Sequence, residues 1–421
     1  MTSSPDIHAV IDARAVTAVF QPLVDIASGR LIGYEALGRG PAGTALEAPM
    51  ELFAAARAVG REAELDWVCR AVAFRTALEA GLDRTITLFV NVEPVALRTP
   101  CPPDLAGVVD QARTRLRVVT EMTERAIAAD PSALLAATAG SRAAGWGVAL
   151  DDVGADPLSL ALMPFVHPDV VKLDMGLLHN PQDPRTAQVV SAVLAYAEAS
   201  GAVILAEGVE TAEHLQVART MGATVGQGWY YGRPGPLPAC LPPTGPQLRL
   251  LSLNGDSQAG TPFSIVAGAR PVTRTSKELL MPISRYLEAQ AGEGSQPPVL
   301  LACLQDSQHF TKRTAQRFTL IAAHSPLVAA FGAGLDEEPV PGVRGAHLEA
   351  GDPLAGEWNV IVVGPHYAAA LVARDLGDTG PDADRRFDYV VTHDRQLVVA
   401  AARSLLQWLT PAPSLVAALI Q

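Results

Sequence analysis

The chain has 421 residues, 49% of them hydrophobic but only 5% aromatic, and a formal net charge of −12. That length exceeds one ordinary globular core and predicts two domains. The acidic balance argues against a nucleic-acid polymer or an anionic membrane surface as partner, since both need basic patches. A small anionic substrate stays compatible, because bound divalent metals can invert the local field.

Cys69, Cys101, Cys240 and Cys303 form no CxxC pair and no zinc-type spacing. They read as small core residues in a reducing cytoplasm. The start, Met1-Thr2-Ser3-Ser4-Pro5-Asp6, lacks the basic and apolar regions of a signal peptide, and no apolar run is long enough to span a membrane. The expectation is a cytoplasmic, soluble protein.

In chain order, short β-branched apolar runs occur at Thr87–Val90, Val118–Thr120, Val148–Leu150, Val170–Leu173 and Val203–Ala206. Their near-continuous apolar character is that of strands buried on both faces. Between them lie Ala-rich segments, Ser132–Ala144 and Thr186–Ser200, that suit helices. The repetition predicts an α/β fold with a parallel sheet closed into a barrel over residues 1–234. Residues 235–262 are rich in Pro and Gly and read as a linker. A second, smaller α/β unit over 263–412 is expected to hold strands at Val299–Leu304 and Trp358–Val363 and a helix at Ala368–Leu376.

The polar residues fall where a barrel would use them. Asn91 follows Leu88-Phe89-Val90, Glu121 follows Val118-Val119-Thr120, and Asp151-Asp152 follow Val148-Ala149-Leu150. Lys172 lies within Val170–Leu173, and Glu207 follows Ile204-Leu205-Ala206. Residues just past parallel strand ends line the mouth of such a barrel. Taken singly, each acidic residue reads more often as a helix cap or a solvated loop group than as a functional one. Together with Glu35 they form a carboxylate cluster that needs cations, and hard oxygen donors favour Mg²⁺ or Mn²⁺.

These stretches resemble the EAL domain, the cyclic di-GMP phosphodiesterase fold. The matching pieces are Phe20–Asp25, Tyr34-Glu35-Ala36-Leu37-Gly38-Arg39, Asn91–Pro94, Thr120–Glu124, Leu150–Gly154, Val171–Asp174, Ala206–Glu210 and Gly226–Pro234. The resemblance implies a (β/α)₈ TIM-like barrel whose first strand is antiparallel to the rest. It implies hydrolysis of cyclic di-GMP to linear pGpG with two divalent ions, by a chain that acts as a homodimer. The other readings are a cyclic di-GMP receptor that has lost turnover and a protein-interaction scaffold in which both domains serve only as docking surfaces.

By position, the resemblance makes Glu35, Asn91, Glu121, Asp151, Asp152 and Glu207 metal ligands. It gives Lys172, Glu207, Gln227 and Glu124 catalytic roles, with Glu124 bracing the loop that begins at Asp152. Gln21, Glu35, Leu37, Arg39 and Glu210 would contact substrate. The loop Val153-Gly154-Ala155-Asp156-Pro157-Leu158-Ser159 departs from the family's usual Phe-Gly-Thr or Ala-Gly-Tyr-Ser-Ser, and Pro157 stiffens it.

The second unit resembles the DICT domain through Leu304–Thr311, Gly356–Val363, Ala369–Asp375 and Arg386–Arg395. This implies a sensory module without catalysis, taking a ligand or protein partner that the sequence does not name. Trp358 and Arg374-Asp375 are candidate contacts, with a packed Trp and a surface ion pair as the plainer reading. His309, His324, His347, His366 and His393 are scattered and read as surface or satisfied core groups.

Overall fold

The computed structural model describes residues 6–123, 130–155, 157–250, 260–292 and 297–409. Eight strands close into a barrel: β1 (Thr17–Asp25), β2 (Leu31–Arg39), β3 (Thr87–Asn91), β4 (Arg117–Thr123), β5 (Gly147–Val153), β6 (Val170–Leu173), β7 (Val203–Ala206) and β8 (Val225–Gln227). β1 runs antiparallel to both of its neighbours, β2 and β8, while β2 through β8 are parallel in succession. The expected inverted first strand is therefore present.

Local sequence sets the helix boundaries. Asp130 accepts a hydrogen bond from the Ala133 N–H and opens helix Pro131–Ala143, and Asp183 caps Pro184–Ser200 in the same way. Each of these helices begins with proline, whose missing N–H costs nothing there. Gly201, at φ +79°, ends the second helix in a left-handed turn.

Inside the barrel, Phe89, Val119, Ala149, Val170, Leu205 and Val225 form one buried layer. Each comes from a different parallel strand, β3 to β8. Side chains alternate along a strand, so the residue two positions further on faces inward as well. Those next residues are Asn91, Glu121, Asp151, Lys172, Glu207 and Gln227.

The linker reading is sharpened at its first half. Residues 235–250 lie along the barrel: Gly235 bridges Phe20, Thr244 bridges Leu31, and Arg117 donates to the Leu248 carbonyl. Leu248 is buried in the barrel-interior cluster, where its apolar side chain is removed from water. Proline and glycine here break helix and strand without detaching the segment.

The second unit is a seven-stranded sheet of β9 (Thr273–Ser276), β10 (Val299–Asp306), β11 (Val328–Ala333), β12 (Val343–His347), β13 (Glu357–Val363), β14 (Ala368–Asp375) and β15 (Arg386–Thr392), in the order 12-11-10-13-14-15-9. The expected helix at Ala368–Leu376 is instead strand β14, paired antiparallel to β13 and β15. Ala370 and Val372 join one core cluster, and Ala369 and Leu371 the opposite one. Burial on both faces gives a continuous apolar run, which alanine makes look helical; tertiary pairing overrides the propensity.

The two units share a core. One apolar cluster runs from Leu134, Phe165 and Val166 of the barrel to Val398, Leu405 and Leu409 of the second unit. Helix Arg395–Leu406 packs on the short helix Met163–Val166. No helix among the described residues is long and apolar enough to cross a membrane.

Candidate metal centre at the barrel mouth

Lys172 stands at the middle of the polar layer with no exposed surface. Its Nζ lies 2.7 Å from Glu207 Oε1, 2.8 Å from Glu121 Oε1, 2.9 Å from Asp151 Oδ1 and 3.7 Å from Glu35 Oε2. Gln227 Nε2 donates to Glu35 Oε2 at 2.5 Å and to Gln21 Oε1 at 3.1 Å. Asn91 Nδ2 donates to Glu35 Oε1 at 3.1 Å. Seven of the eight strands thus deliver a polar side chain to this layer, and the residue just past the end of β7, Glu207, supplies another.

A regular strand would point Asp151 and Asp152 to opposite faces. The pairing of β5 with β6 slips between Leu150 and Val153, and Asp152 takes φ +57°. A bulge of this kind re-aims side chains, and the left-handed region is one that Asp tolerates better than most residues. As a result Asp151, Asp152 and Glu207 each bring a carboxylate oxygen within 4.8 Å of the other two.

The electrostatics are those of a site short of positive charge. Burial pushes the Glu121 carboxyl well above its ordinary range, and the charges on Glu35 and Asp151 push the same way against Lys172. Glu207 is pushed up to about 8, first by burial, with Asp151 and Glu35 adding to it against the pull of Lys172. For Glu35 burial acts upward too, but Lys172 and the hydrogen bonds from Gln227 and Asn91 outweigh it and hold it low. Burial lowers the Lys172 ammonium, yet the surrounding carboxylates more than reverse this, so it stays charged.

One ammonium faces four carboxylates, those of Glu35, Glu121, Asp151 and Glu207, with Asp152 beside the last two. Its contacts with Glu121, Asp151 and Glu207 are ion pairs by distance. Both Glu121 oxygens, Asp151 Oδ1 and Gln227 Oε1 are buried and accept no hydrogen bond among the described residues. Buried carboxylate oxygens left this way are costly unless a cation takes them. The donor set is all oxygen, which fits a hard divalent ion.

The substrate-side expectations are spread around this centre. Leu37 and Arg39 line a groove of about 450 Å³ that also reaches Asn91, Glu93, Arg57 and Asp66. Arg39 Nη1 donates to the Gly38 carbonyl at 2.8 Å, and Gln21 donates to the Gly232 carbonyl at 3.2 Å. Glu210 is grouped with His179 and His214. Glu124 lies outside the described residues.

Sequence reading missed Asp66, which accepts the Glu93 N–H at 2.9 Å and pairs with Arg70 at 2.5 Å. Both lie in helix Glu62–Glu79, away from any strand end, so no positional signal marked them. In the second unit Trp358 is buried edge-on to Phe387. Arg374 pairs with Asp388, and Asp375 pairs with Arg385. Trp358 is packed, while Arg374 and Asp375 each pair with a different residue, and the Asp375–Arg385 pair is largely buried rather than on the surface.

The family model for the EAL domain matches residues 6–234. The chain belongs to the EAL domain family. A second family model, the sensory domain in diguanylate cyclases and two-component systems (DICT), matches residues 265–376. Among curated relatives of this EAL protein, an uncharacterized signaling protein of Caulobacter vibrioides is 30% identical over 225 residues, covering 52% of this chain and 27% of that one. The cyclic di-GMP phosphodiesterase RocR of Pseudomonas aeruginosa is 29% identical over 245 residues, 56% of this chain and 62% of that one. Among solved structures, the manganese and cyclic di-GMP complex of Klebsiella pneumoniae BlrP1 at pH 9.0 shares 30% identity over 52% of this chain and 56% of that one, with a TM-score of 0.46. The chain covers between 27% and 62% of the length of the first three curated relatives it matches.

Proposed function

We propose that this EAL protein hydrolyses one phosphodiester bond of cyclic di-GMP, giving linear pGpG, with two divalent metal ions at the barrel mouth. The observation that carries the reading is the polar layer centred on Lys172, in which buried carboxylates outnumber the single cation. RocR, a relative over the barrel, is named a cyclic di-GMP phosphodiesterase. Glu35, Asn91, Glu121 and Asp151 would hold one ion, and Asp151, Asp152 and Glu207 the other. Such a pair, when bound, supplies the Lewis acidity that generates a nucleophile from water near neutral pH and stabilises the entering and leaving oxygens.

The chain's own residues do the rest. Lys172 holds a fixed positive charge where negative charge builds on the phosphoryl oxygens, in a site too dry to screen it. Gln227, anchored by Glu35 and Gln21, is placed to orient the attacking water. Glu207, 2.7 Å from Lys172, would support an ion directly or through its water. Arg39, on the rim of the groove, would take a substrate phosphate.

The DICT unit is proposed to regulate this reaction. Its helix Arg395–Leu406 packs on Met163–Val166, and that helix follows directly on the segment that starts at Asp152. A signal that shifts the unit would act on a metal-ligand loop through a packed core, the kind of contact that responds in discrete steps. Incubating the purified chain with cyclic di-GMP and Mg²⁺ or Mn²⁺ tests the reading: pGpG supports it. Tight binding without product supports a receptor.

A further inference from the structure

We propose that His179, Glu210 and His214 form a second metal site, separate from the oxygen-lined centre, for a single divalent transition ion of the zinc class. One ligand atom from each residue lies within 4.8 Å of the other two. His179 ends helix Met175–His179, which follows β6, and His214 lies in helix Ala212–Thr220, which follows β7. The two rings stack with centroids 4.4 Å apart and a tilt of 33°.

The rings share an anchor. His179 Nε2 and His214 Nδ1 each lie 3.3 Å from the Gly208 carbonyl oxygen. A carbonyl on one ring nitrogen orients a metal-binding imidazole, as Gly208 does for His179; the Glu210 N–H donates to His214 Nδ1 at 3.4 Å and leaves Nε2 of that ring for an ion. Gly208 has φ +65°, and a Cβ there would sit 2.5 Å from the Met175 Cβ, so only glycine lets the β7 loop close this tightly on the β6 helix. Among the described residues Glu210 has no ion-pair partner.

The chemistry differs from that of the barrel mouth. Two imidazoles and one carboxylate are borderline donors that suit Zn²⁺, Ni²⁺ or Co²⁺ over Mg²⁺, and three protein ligands leave a position open. An ion held there would pin Glu210, and with it the loop that begins at Glu207, to the helix that follows Lys172. Occupancy would therefore set how firmly Glu207 is held beside Lys172 and Asp151. The site is regulatory in this account and touches no reacting atom.

The test uses the full chain in excess Mg²⁺, titrated with Zn²⁺ by calorimetry and with Co²⁺ by visible absorption. Wild type is expected to bind one more equivalent of Zn²⁺ than the double variant His179→Asn, His214→Asn. Its Co²⁺ absorption bands should be lost in that variant. Amide exchange over residues 207–214 should slow on adding Zn²⁺ in wild type alone. Should the double variant fail to fold, Glu210→Gln replaces it, with an affinity loss of at least about tenfold expected. Equal Zn²⁺ stoichiometry and affinity in wild type and variant would overturn the proposal.

Discussion

Lys172 and Glu207 meet at 2.7 Å although they come from adjacent strands and lie 35 positions apart in the chain. The contact exists because each residue sits two positions beyond a barrel-interior aliphatic, Val170 and Leu205. It ties the ammonium of the site to the carboxylate pushed up to about 8.

Replacing Lys172 with Met leaves the carboxylates facing one another with no cation. In metal-free protein this should cost about 3–5 kcal/mol of stability, as when one member of a buried ionic cluster is removed. Mg²⁺ or Mn²⁺ should recover much of the loss, while turnover stays down by about 10²-fold or more. Chemical denaturation with and without metal reads the first effect, and product assays read the second.

Gln227→Ala removes the 2.5 Å hydrogen bond to Glu35 and the bond to Gln21. Freed from that anchor, Glu35 should hold metal about 10–100-fold more weakly. Turnover at saturating metal should also fall, since the same amide is assigned to the water. Calorimetric titration with Mn²⁺ separates the two; unchanged metal affinity would contradict the role given to the Gln227–Glu35 bond.

Asp152 combines a proposed ligand role with left-handed backbone. Asp152→Gly and Asp152→Ala should therefore lose turnover alike, since both remove the carboxylate. Their stabilities should differ: glycine accepts φ +57° and alanine does not, a gap of about 1 kcal/mol or more. Paired melting curves of the two variants give this difference directly.

His167 supplies a pH dependence at the contact between the units. Burial lowers its pKa, and the guanidiniums of Arg403, from the second unit, and Arg142 lower it further. Tyr196 packs edge-on to its ring, and Asp169 nearby is taken up by Arg142. A histidine whose folded pKa is depressed binds fewer protons folded than unfolded. Its stabilising contribution is then present above the ordinary value of about 6.5 and is lost as pH falls below it. His167→Asn tolerates the same φ of +54° and cannot titrate. Its melting temperature should fall less steeply than that of wild type below pH 6.5 or so; parallel slopes would contradict the assignment.

Much of the site was legible because barrel geometry converts a local pattern into a place. An aliphatic run that ends in Asn91, Glu121, Asp151 or Glu207 needs no long-range information to be assigned to the mouth. The convergence of Asp152 was visible only as a residue type; its aim depends on the bulge after Leu150. Asp66 and the pair His179 and His214 carried no such signal, since they lie on helices whose facing is set by packing. Strand β14 was read as a helix because a run buried on both faces has no alternation to reveal it. The packing of residues 235–250 along the barrel was hidden behind a composition that describes only what the backbone cannot do.

The central claim is tested most directly by single-turnover hydrolysis of cyclic di-GMP by the full chain, with Asp151→Asn beside it. In Mg²⁺ or Mn²⁺ the wild type should convert bound cyclic di-GMP to pGpG. Asp151→Asn, lacking the carboxylate that both ions would share, should form product at least about 10²-fold more slowly. Wild-type protein that binds cyclic di-GMP but forms no pGpG, or an Asp151→Asn variant with full activity, would contradict the account.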